Sequence, residues 1–394
     1  MNGIRRAMVE GKVLHNVILN VDFYSAMLIR KILYRNNPVK KNKIVFMTFD
    51  RDYTCNPKYI AEEILRQNLD MDLVWITARE TVDSTHFPQK IRLVNYGSAE
   101  MFEEMATAKV WIDNALTGVW HNMPKKKNQI YLNTWHGSLG IKKLSGDSRW
   151  LRTAARCNKA TDYCITNSTF EENVFRTTFW ADTPVLRLGH ARNDILINPD
   201  QAASARKKVL DYYGLNEDTK IAMYAPTFRD NGSTQVYNLS FQTLKESLAK
   251  RFGGNWIIFE RAHFKNRASH VPHVEDNVIN VSSYPDMQEL MAAADAGVTD
   301  YSSWAYDYIL TGRPMFIYAP DLSAYAGGRG FYYPIETTPF AIAENNEQLA
   351  QCIEQFEADQ YEKDVKAFLE DKGCYEKGNA ASEIVSFLKE KMEL

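Results

Sequence analysis

Two short segments of this 394-residue chain carry residue types that do chemistry on phosphates. The first is Gly297-Val298-Thr299-Asp300-Tyr301-Ser302-Ser303, where an apolar run stops and the periodic stretch Trp304–Leu310 reads as a helix. Ser302 and Ser303 fall at its start. Small hydroxyls, unpaired backbone N–H groups and the positive end of a helix dipole converge there and favour an anion. The second is Thr134-Trp135-His136-Gly137, which closes the run Gln129–Asn133. An imidazole at a strand end can take a proton at neutral pH and so activate a hydroxyl. A histidine beside a tryptophan also serves as plain structure, and the residues alone leave both readings open.

Two further strand ends carry related groups. Tyr224-Ala-Pro-Thr-Phe-Arg-Asp230 brings Thr227 and Arg229 to the same crevice, although Arg229 could equally pair with Asp230. Glu260-Arg261-Ala262-His263 places Arg261 and His263 on one side if the strand continues. Arginine suits bidentate phosphate contact and histidine can donate to a leaving phosphate. Other chemistries lose support. There is no GxGxxG, no GxxxxGK[ST], no GxSxG elbow and no metal-ligand spacing. Five scattered cysteines without a CxxC give neither a disulfide framework nor a zinc site, and fit a reducing compartment.

The elements that must position these groups alternate. Ile44–Phe49, Asp72–Ile76, Ile91–Val94, Val110–Asp113, Gln129–Asn133, Tyr163–Thr166 and Val185–Leu188 read as strands, with helix-length stretches such as Pro57–Gln67, Ser98–Ala108 and Ser168–Phe179 between them. A polar stretch around Asn193–Ser204 interrupts the series. A second series follows at Ile221–Ala225, Trp256–Glu260, Val278–Val281, Gly297–Thr299 and Met315–Tyr318, with helices at Leu239–Phe252 and Met287–Ala294. Such alternation predicts α/β architecture with parallel sheets covered on both faces. We expect two doubly wound domains, 43–195 and 196–394, joined near residue 195, with ligands held between the carboxyl ends of their strands.

Residues 1–42 form a separate segment. Leu14, Val17, Ile18, Val21, Met27, Leu28 and Ile32 recur at helical spacing, and residues 1–43 hold nine Lys/Arg against Glu10 and Asp22. This amphipathic, basic segment could lie on an anionic membrane surface or pack on its own protein. Its apolar runs, Val13–Val21 and Phe23–Ile29, are too short to span a bilayer, which takes about 20 residues. Lys125-Lys126-Lys127 and Lys142-Lys143 could attract an anionic polymer, or serve only solubility.

Together these segments resemble the CDP-glycerol glycerophosphotransferase family, which builds poly(glycerol phosphate) teichoic acids and related capsule polymers. The resemblance covers roughly residues 100–335. It rests on Asn133-Thr-Trp-His-Gly-Ser138 with Lys142-Lys143-Leu144, on Tyr224–Asp230, on Arg261-Ala-His263, and on Thr299-Asp-Tyr-Ser-Ser303 with Asp307, Arg313-Pro314 and Phe316-Ile-Tyr318. It continues through Asp321-Leu322, Tyr325 and Arg329-Gly-Phe-Tyr332. Ser138-Leu139-Gly140 departs from the family's Thr-Pro-Leu. Gly189-His-Ala-Arg-Asn-Asp194 departs from its Gly-Tyr/Ile-Pro-Arg-Asn/Thr-Asp.

The resemblance implies a GT-B arrangement of two Rossmann-like domains, an acceptor domain followed by a CDP-donor domain. It also implies no cofactor and no tightly bound metal, CDP-glycerol as substrate, and a place on the cytoplasmic face of the membrane. It makes His136 the general base and His263 a phosphate or leaving-group residue. Thr227, Arg229, Arg261, Asp300, Ser302 and Ser303 would bind the donor, with Asn193 a weaker hinge or donor contact. The acceptor would be a lipid-linked polyol phosphate or glycan, with no nucleic acid partner. Transfer of CDP-ribitol, a GT-B sugar transfer and a catalytically inert scaffold are the competing expectations.

Overall fold

Each half of the chain lays its short Val/Ile-rich segments side by side, because a strand buried on both faces must be apolar throughout. The computed structural model describes residues 20–78, 84–116, 122–144, 148–227, 238–262, 277–323 and 330–394. In the first half, β1 (Lys40–Met47), β2 (Asp72–Thr77), β3 (Ile91–Asn95), β4 (Ala108–Asp113), β5 (Ile130–Asn133), β6 (Tyr163–Thr166) and β7 (Val185–Arg187) form one sheet in the order β3-β2-β1-β4-β5-β6-β7. Every pairing is parallel, with Phe46 opposite Trp75 and Ile112. The second half forms another parallel sheet from β8 (Lys220–Tyr224), β9 (Trp256–Glu260), β10 (Val278–Asn280), β11 (Ala296–Thr299), β12 (Met315–Tyr318) and β13 (Ala341–Ala343), in the order β10-β9-β8-β11-β12-β13. This is the GT-B architecture that the resemblance implies.

In both sheets the strand order reverses beside the first strand, between β1 and β4 and between β8 and β11. Open parallel sheets bind ligands outside the carboxyl ends of the strands at such a switch point. His136 follows β5, Thr227 follows β8, Arg261 follows β9, and Ser302 and Ser303 follow β11.

Three local expectations change. The Asn193–Ser204 stretch is helical: a 3-10 turn Ala191–Asn193 leads into helices Asp194–Ile197 and Pro199–Tyr213. Asn198 caps the longer helix through the N–H groups of Asp200 and Gln201, and Pro199 occupies its first position, where a missing N–H costs nothing. The helix after Ser303 is shorter than its periodicity predicts, α-helical only over Trp304–Tyr308 and 3-10 over Ile309–Thr311 before Gly312 turns the chain. Residues 196–394 do not all stay with the second sheet. The last helix, Ala380–Met392, returns to the first lobe, where Phe387 meets Tyr163 edge-on and Lys41 pairs with Glu393 at 3.0 Å. The Asp194 carboxylate accepts from the N–H groups of Ala380 and Ala381, fixing that helix at the hinge.

Residues 20–33 form a helix on the outside of the first lobe. Its inner face is held by Arg156, which lies over Phe23 at 3.6 Å and donates to Asn20, and by Arg30 over Phe102 at 4.1 Å. No helix among the described residues is long and apolar enough to cross a membrane.

Candidate active site

The His136 turn is built by the ends of three neighbouring strands. Asn133 Oδ1 accepts the Trp135 N–H at 2.9 Å, and the Thr134 N–H reaches the Asp113 carbonyl at the end of β4. Trp135 then adopts a left-handed backbone (φ 52), a costly conformation for a bulky residue that its surroundings must enforce. They do so by packing its indole among Phe175, Phe179 and Trp180, while the Asn56 amide donates to the carbonyls of Thr134 and Trp135 at 3.0 and 3.1 Å. The tight turn throws the next side chain, His136, outward.

Its Nδ1 lies 2.6 Å from the Asn114 carbonyl. A carbonyl only accepts, so Nδ1 carries the proton and the lone pair of the neutral ring sits on Nε2. Phe49, at the end of β1, packs against the ring at 4.9 Å and Trp135 at 4.4 Å. The ring's remaining edge is open to solvent. Crowding by protein pulls its pKa down from the ordinary 6.5, to about 4; the Asn114 carbonyl opposes this and the Arg192 guanidinium adds to it. Solvent at the open edge relieves part of the effect, so the downward direction matters most: at neutral pH the imidazole is neutral, with Nε2 free to accept a proton.

The opposing turn is knitted by Asp300, whose Oδ1 accepts the N–H groups of Thr227 at 2.8 Å and Tyr301 at 2.6 Å, joining the ends of β8 and β11. Trp304 Nε1 and Thr299 Oγ1 both donate to the Ala225 carbonyl. The indole fits because residue 297 is glycine: a Cβ there would meet Trp304 Cη2 at 2.9 Å and Met315 Sδ at 2.4 Å. Ser302 and Ser303 are half-buried, and the Ser303 side chain makes no cap hydrogen bond although it occupies the cap position. A five-residue helix brings little macrodipole, so the two hydroxyls and nearby N–H groups, rather than a long helix, define what this turn offers an anion.

The two turns meet. A Cβ on Gly140 would lie 3.0 Å from Ser303 Cβ, so the departure at Ser138-Leu139-Gly140 puts the smallest residue where the lobes touch. Beyond it, Lys142 bridges Phe331, and Lys143 N–H reaches the Gly330 carbonyl at 3.2 Å. Arg192, almost fully buried, spans the junction: it donates to the Gly137 carbonyl at 2.5 Å and grips the Asp307 carboxylate at 3.1 and 3.3 Å. The Asn193 amide adds bonds to Asp307 at 3.1 Å and Glu376 at 2.8 Å.

The structure thus ties the His136 turn to the Ser302–Ser303 turn, through the contact of Gly140 with Ser303 and through Arg192. Asn193 lies behind this junction as a buried brace, not on its surface. Arg261 uses Nη1 on the carbonyls of Val281 and Tyr284, both at 2.8 Å, so it also holds the second lobe together. Arg229, His263, Tyr325 and Arg329 lie outside the described residues. Lys125 pairs with Asp162 and Lys126 with the Asn37 carbonyl, a structural role for part of the lysine run. Among the described residues, no group of three or more His, Cys, Asp or Glu side chains could hold a metal ion. Sequence reasoning passed over Arg192, Asn56, Asn114 and Phe49. Only Arg192 had a signal, its place beside Asn193 in the Gly189–Asp194 segment.

Residues 29–390 match the family described as CDP-Glycerol:Poly(glycerophosphate) glycerophosphotransferase. The chain belongs to this family. It is 31% identical over 379 residues to the teichoic acid poly(glycerol phosphate) polymerase of Staphylococcus epidermidis, covering 90% of this chain but only 51% of that relative. The polymerase of the same description from Bacillus spizizenii is 27% identical over 371 residues, covering 89% of this chain and 93% of its own length. Ribitol-phosphate polymerases also match, at 24% and 26% identity. Among solved structures, the wall teichoic acid polymerase TagF, in a histidine-to-asparagine form soaked with CDPG, superposes with a TM-score of 0.81 at 27% identity, covering 99% of this chain and 98% of that one.

Proposed function

We propose that this family member transfers a polyol phosphate, glycerol phosphate first, from its CDP-linked form to a hydroxyl of a lipid-linked polyol-phosphate or glycan acceptor. CMP is released, and the product enters teichoic acid or capsule polymer. The observation that carries the reading is the His136 tautomer: Nδ1–H held by the Asn114 carbonyl leaves Nε2 basic, on a turn tied to the Ser302–Ser303 helix. His136 Nε2 removes the acceptor hydroxyl proton, and that oxygen attacks the polyol-side phosphorus in line. The bond to the bridging oxygen of the pyrophosphate breaks and CMP leaves. Ser302, Ser303 and the N–H groups around them take up the charge that develops on the departing phosphate, with Arg229, Arg261, Thr227 and His263 as further donor-side candidates. Asp300 orients that turn.

The test is CMP release from CDP-glycerol and, in parallel, from CDP-ribitol, by wild type, His136→Ala and His263→Ala with folding checked by circular dichroism. We expect CDP-glycerol to be preferred and His136→Ala to lose about 10²–10⁴-fold in turnover. Wild-type turnover in both variants would end this mechanism, and a ribitol preference would reassign the donor. Because kcat/KM reports the free enzyme, its acid limb should fall below the pH 6.5 of an ordinary histidine, activity dropping as pH falls through the lowered pKa of His136.

The outer helix suggests where the acceptor is met. Val21, Tyr24, Leu28, Ile29, Ile32 and Leu33 fall on one helical face and are each 56–65% exposed, near the exposed basic residues Lys31, Arg35 and Lys40. An anionic bilayer surface fits such a stripe, and would hold the enzyme peripherally next to a lipid-linked acceptor. Wild type should co-sediment with phosphatidylglycerol vesicles, and Leu28→Asp with Ile32→Asp should weaken that binding about tenfold or more. Unchanged sedimentation of the double variant would remove this helix from the membrane reading.

A further inference from the structure

We propose that Arg192 is a positioning residue that sets the imidazole of His136 against the Ser302–Ser303 turn, one guanidinium holding the two lobes' catalytic segments in register. The inference rests on the functional reading above and adds to it a residue that touches neither substrate.

The argument starts from what a guanidinium can do. It is planar, permanently charged and presents several donors in a rigid fork. Arg192 sits in the 3-10 turn Ala191–Asn193, at the passage from the first sheet to the second, with 2% of its surface exposed. Its Nε and Nη2 reach Oδ2 and Oδ1 of Asp307 at 3.1 and 3.3 Å, on the helix that Ser303 begins. The same Nη2 donates to the carbonyl of Gly137, the residue next to His136, at 2.5 Å. Its own N–H goes to Asn56 Oδ1 at 3.1 Å, and the Asn56 amide holds the carbonyls of Thr134 and Trp135. Both sides of the left-handed Trp135 are therefore fixed through residue 192 and its partners, as is the acidic anchor of the opposite turn.

A buried charge of this kind is well suited to geometry. Its only carboxylate partner at salt-bridge distance among the described residues is Asp307, and the spare donor goes to a backbone carbonyl that no substitution can remove. A lysine would retain the charge but, as a point donor on a flexible stem, cannot hold a carboxylate in fork geometry and the Gly137 carbonyl together. Misplacing a catalytic group by about 1 Å can cost about 10²-fold in rate.

The experiment compares full-length wild type with Arg192→Lys, Arg192→Met and Asp307→Asn. It reads kcat and KM for CDP-glycerol, the melting temperature, and the titration of His136 by histidine-selective NMR, assigned with His136→Ala. We expect kcat in Arg192→Lys to fall about 10²-fold, with KM changed much less and the protein still folded at the assay temperature. Asp307→Asn should fall in the same direction, and its combination with Arg192→Lys by less than the product of the two single effects. The His136 titration should move up in Arg192→Met, where the neighbouring positive charge is gone but the crowding by protein remains, and stay at its wild-type value in Arg192→Lys. Wild-type kcat in Arg192→Lys overturns the proposal. So does a loss that tracks melting and disappears on cooling, because the residue would then only join the lobes. Should wild type release no CMP from either donor, the functional reading fails, and the His136 titration still judges the contact: an unmoved value in Arg192→Met shows that residue 192 does not set this ring.

Discussion

Among the described residues, two buried charged clusters join the lobes, and they differ in what else they hold. Behind the two turns, Arg192 and Asp307 sit among Asn193, His190, Glu171 and Glu376. Further from them, Lys58 on helix Cys55–Arg66 enters the second lobe, meeting Asp286, Glu289 at 2.9 Å and its own Glu62 at 3.7 Å. Asp286 caps the helix Met287–Ala293, Tyr59 donates to Asp286 at 3.0 Å, and Lys208 reaches Glu289 at 2.8 Å. The Lys58 cluster reaches the donor side at one remove, through Tyr284, whose hydroxyl donates to Glu289 and whose carbonyl accepts from Arg261. The Arg192 cluster touches the His136 turn and the Ser303 helix directly. Like chemistry therefore serves cohesion in one place and catalytic geometry in the other.

The clusters also titrate with opposite sign. Burial opposes ionisation of Glu289, yet Lys58, Lys208 and the Tyr284 hydroxyl hold its pKa well below the usual value. A depressed carboxyl stabilises the fold above its unfolded pKa, about 4.3, and that contribution is lost as pH falls through the folded value. In the hinge cluster, burial pushes Glu171 and Glu376 up to about 8, against N–H groups of Asn167 and His190, the Asn193 amide and the Arg192 charge. Carboxyls raised in this way favour the fold at low pH, and the contribution is lost as pH rises from about 4.3 through about 8. Burial and Arg192 likewise keep His190 neutral, its Nε2 3.0 Å from Glu171 Oε2 but off hydrogen-bond geometry.

The comparison can be broken most forcefully at Lys58. Lys58→Met leaves Asp286 buried without its cation, and Glu289 with Lys208 alone, and should cost about 3–5 kcal/mol in chemical denaturation, while turnover per folded molecule stays near wild type. A large loss of turnover without loss of stability would erase the contrast with Arg192. A smaller effect separates the pH limbs. Glu376→Gln should flatten the decline in stability between about pH 4.3 and 8, and Glu289→Gln should flatten the decline below about pH 4, both read as melting temperature against pH. An unchanged slope over that range in Glu376→Gln would mean that the hinge carboxyl is ionised in the folded protein. The smallest effect is at Gly140. A methyl there must push Ser303 away by a few tenths of an ångström, so Gly140→Ala should lower kcat about threefold to tenfold with little change in melting.

Much of the scaffold was legible before folding. Seven strands of the first sheet and five of the second announce themselves as short β-branched and aromatic runs, because a doubly covered parallel strand tolerates little else. β13 carries no such signal: Ala341–Ala343 is three residues long and has no aromatic or β-branched run to mark it. The Asn198-Pro199 helix start looks like a break in the sequence because cap residues are polar, like loops. At the site, His136 and Ser302 stood out by type and position. Arg192 did not, since an arginine acquires meaning only from what its fork reaches.

The order of residues alone determined the alternation of strands and helices, hence two parallel sheets, and it determined which chemical groups end the strands, because both follow from periodicity and side-chain type within a few residues. Only the tertiary structure decided that the last helix crosses back to the first lobe, that Gly140 abuts Ser303, and that one buried guanidinium spans the Gly137 carbonyl and Asp307. Those are contacts between residues from 55 to about 350 positions apart, and no local pattern encodes a distance of that kind.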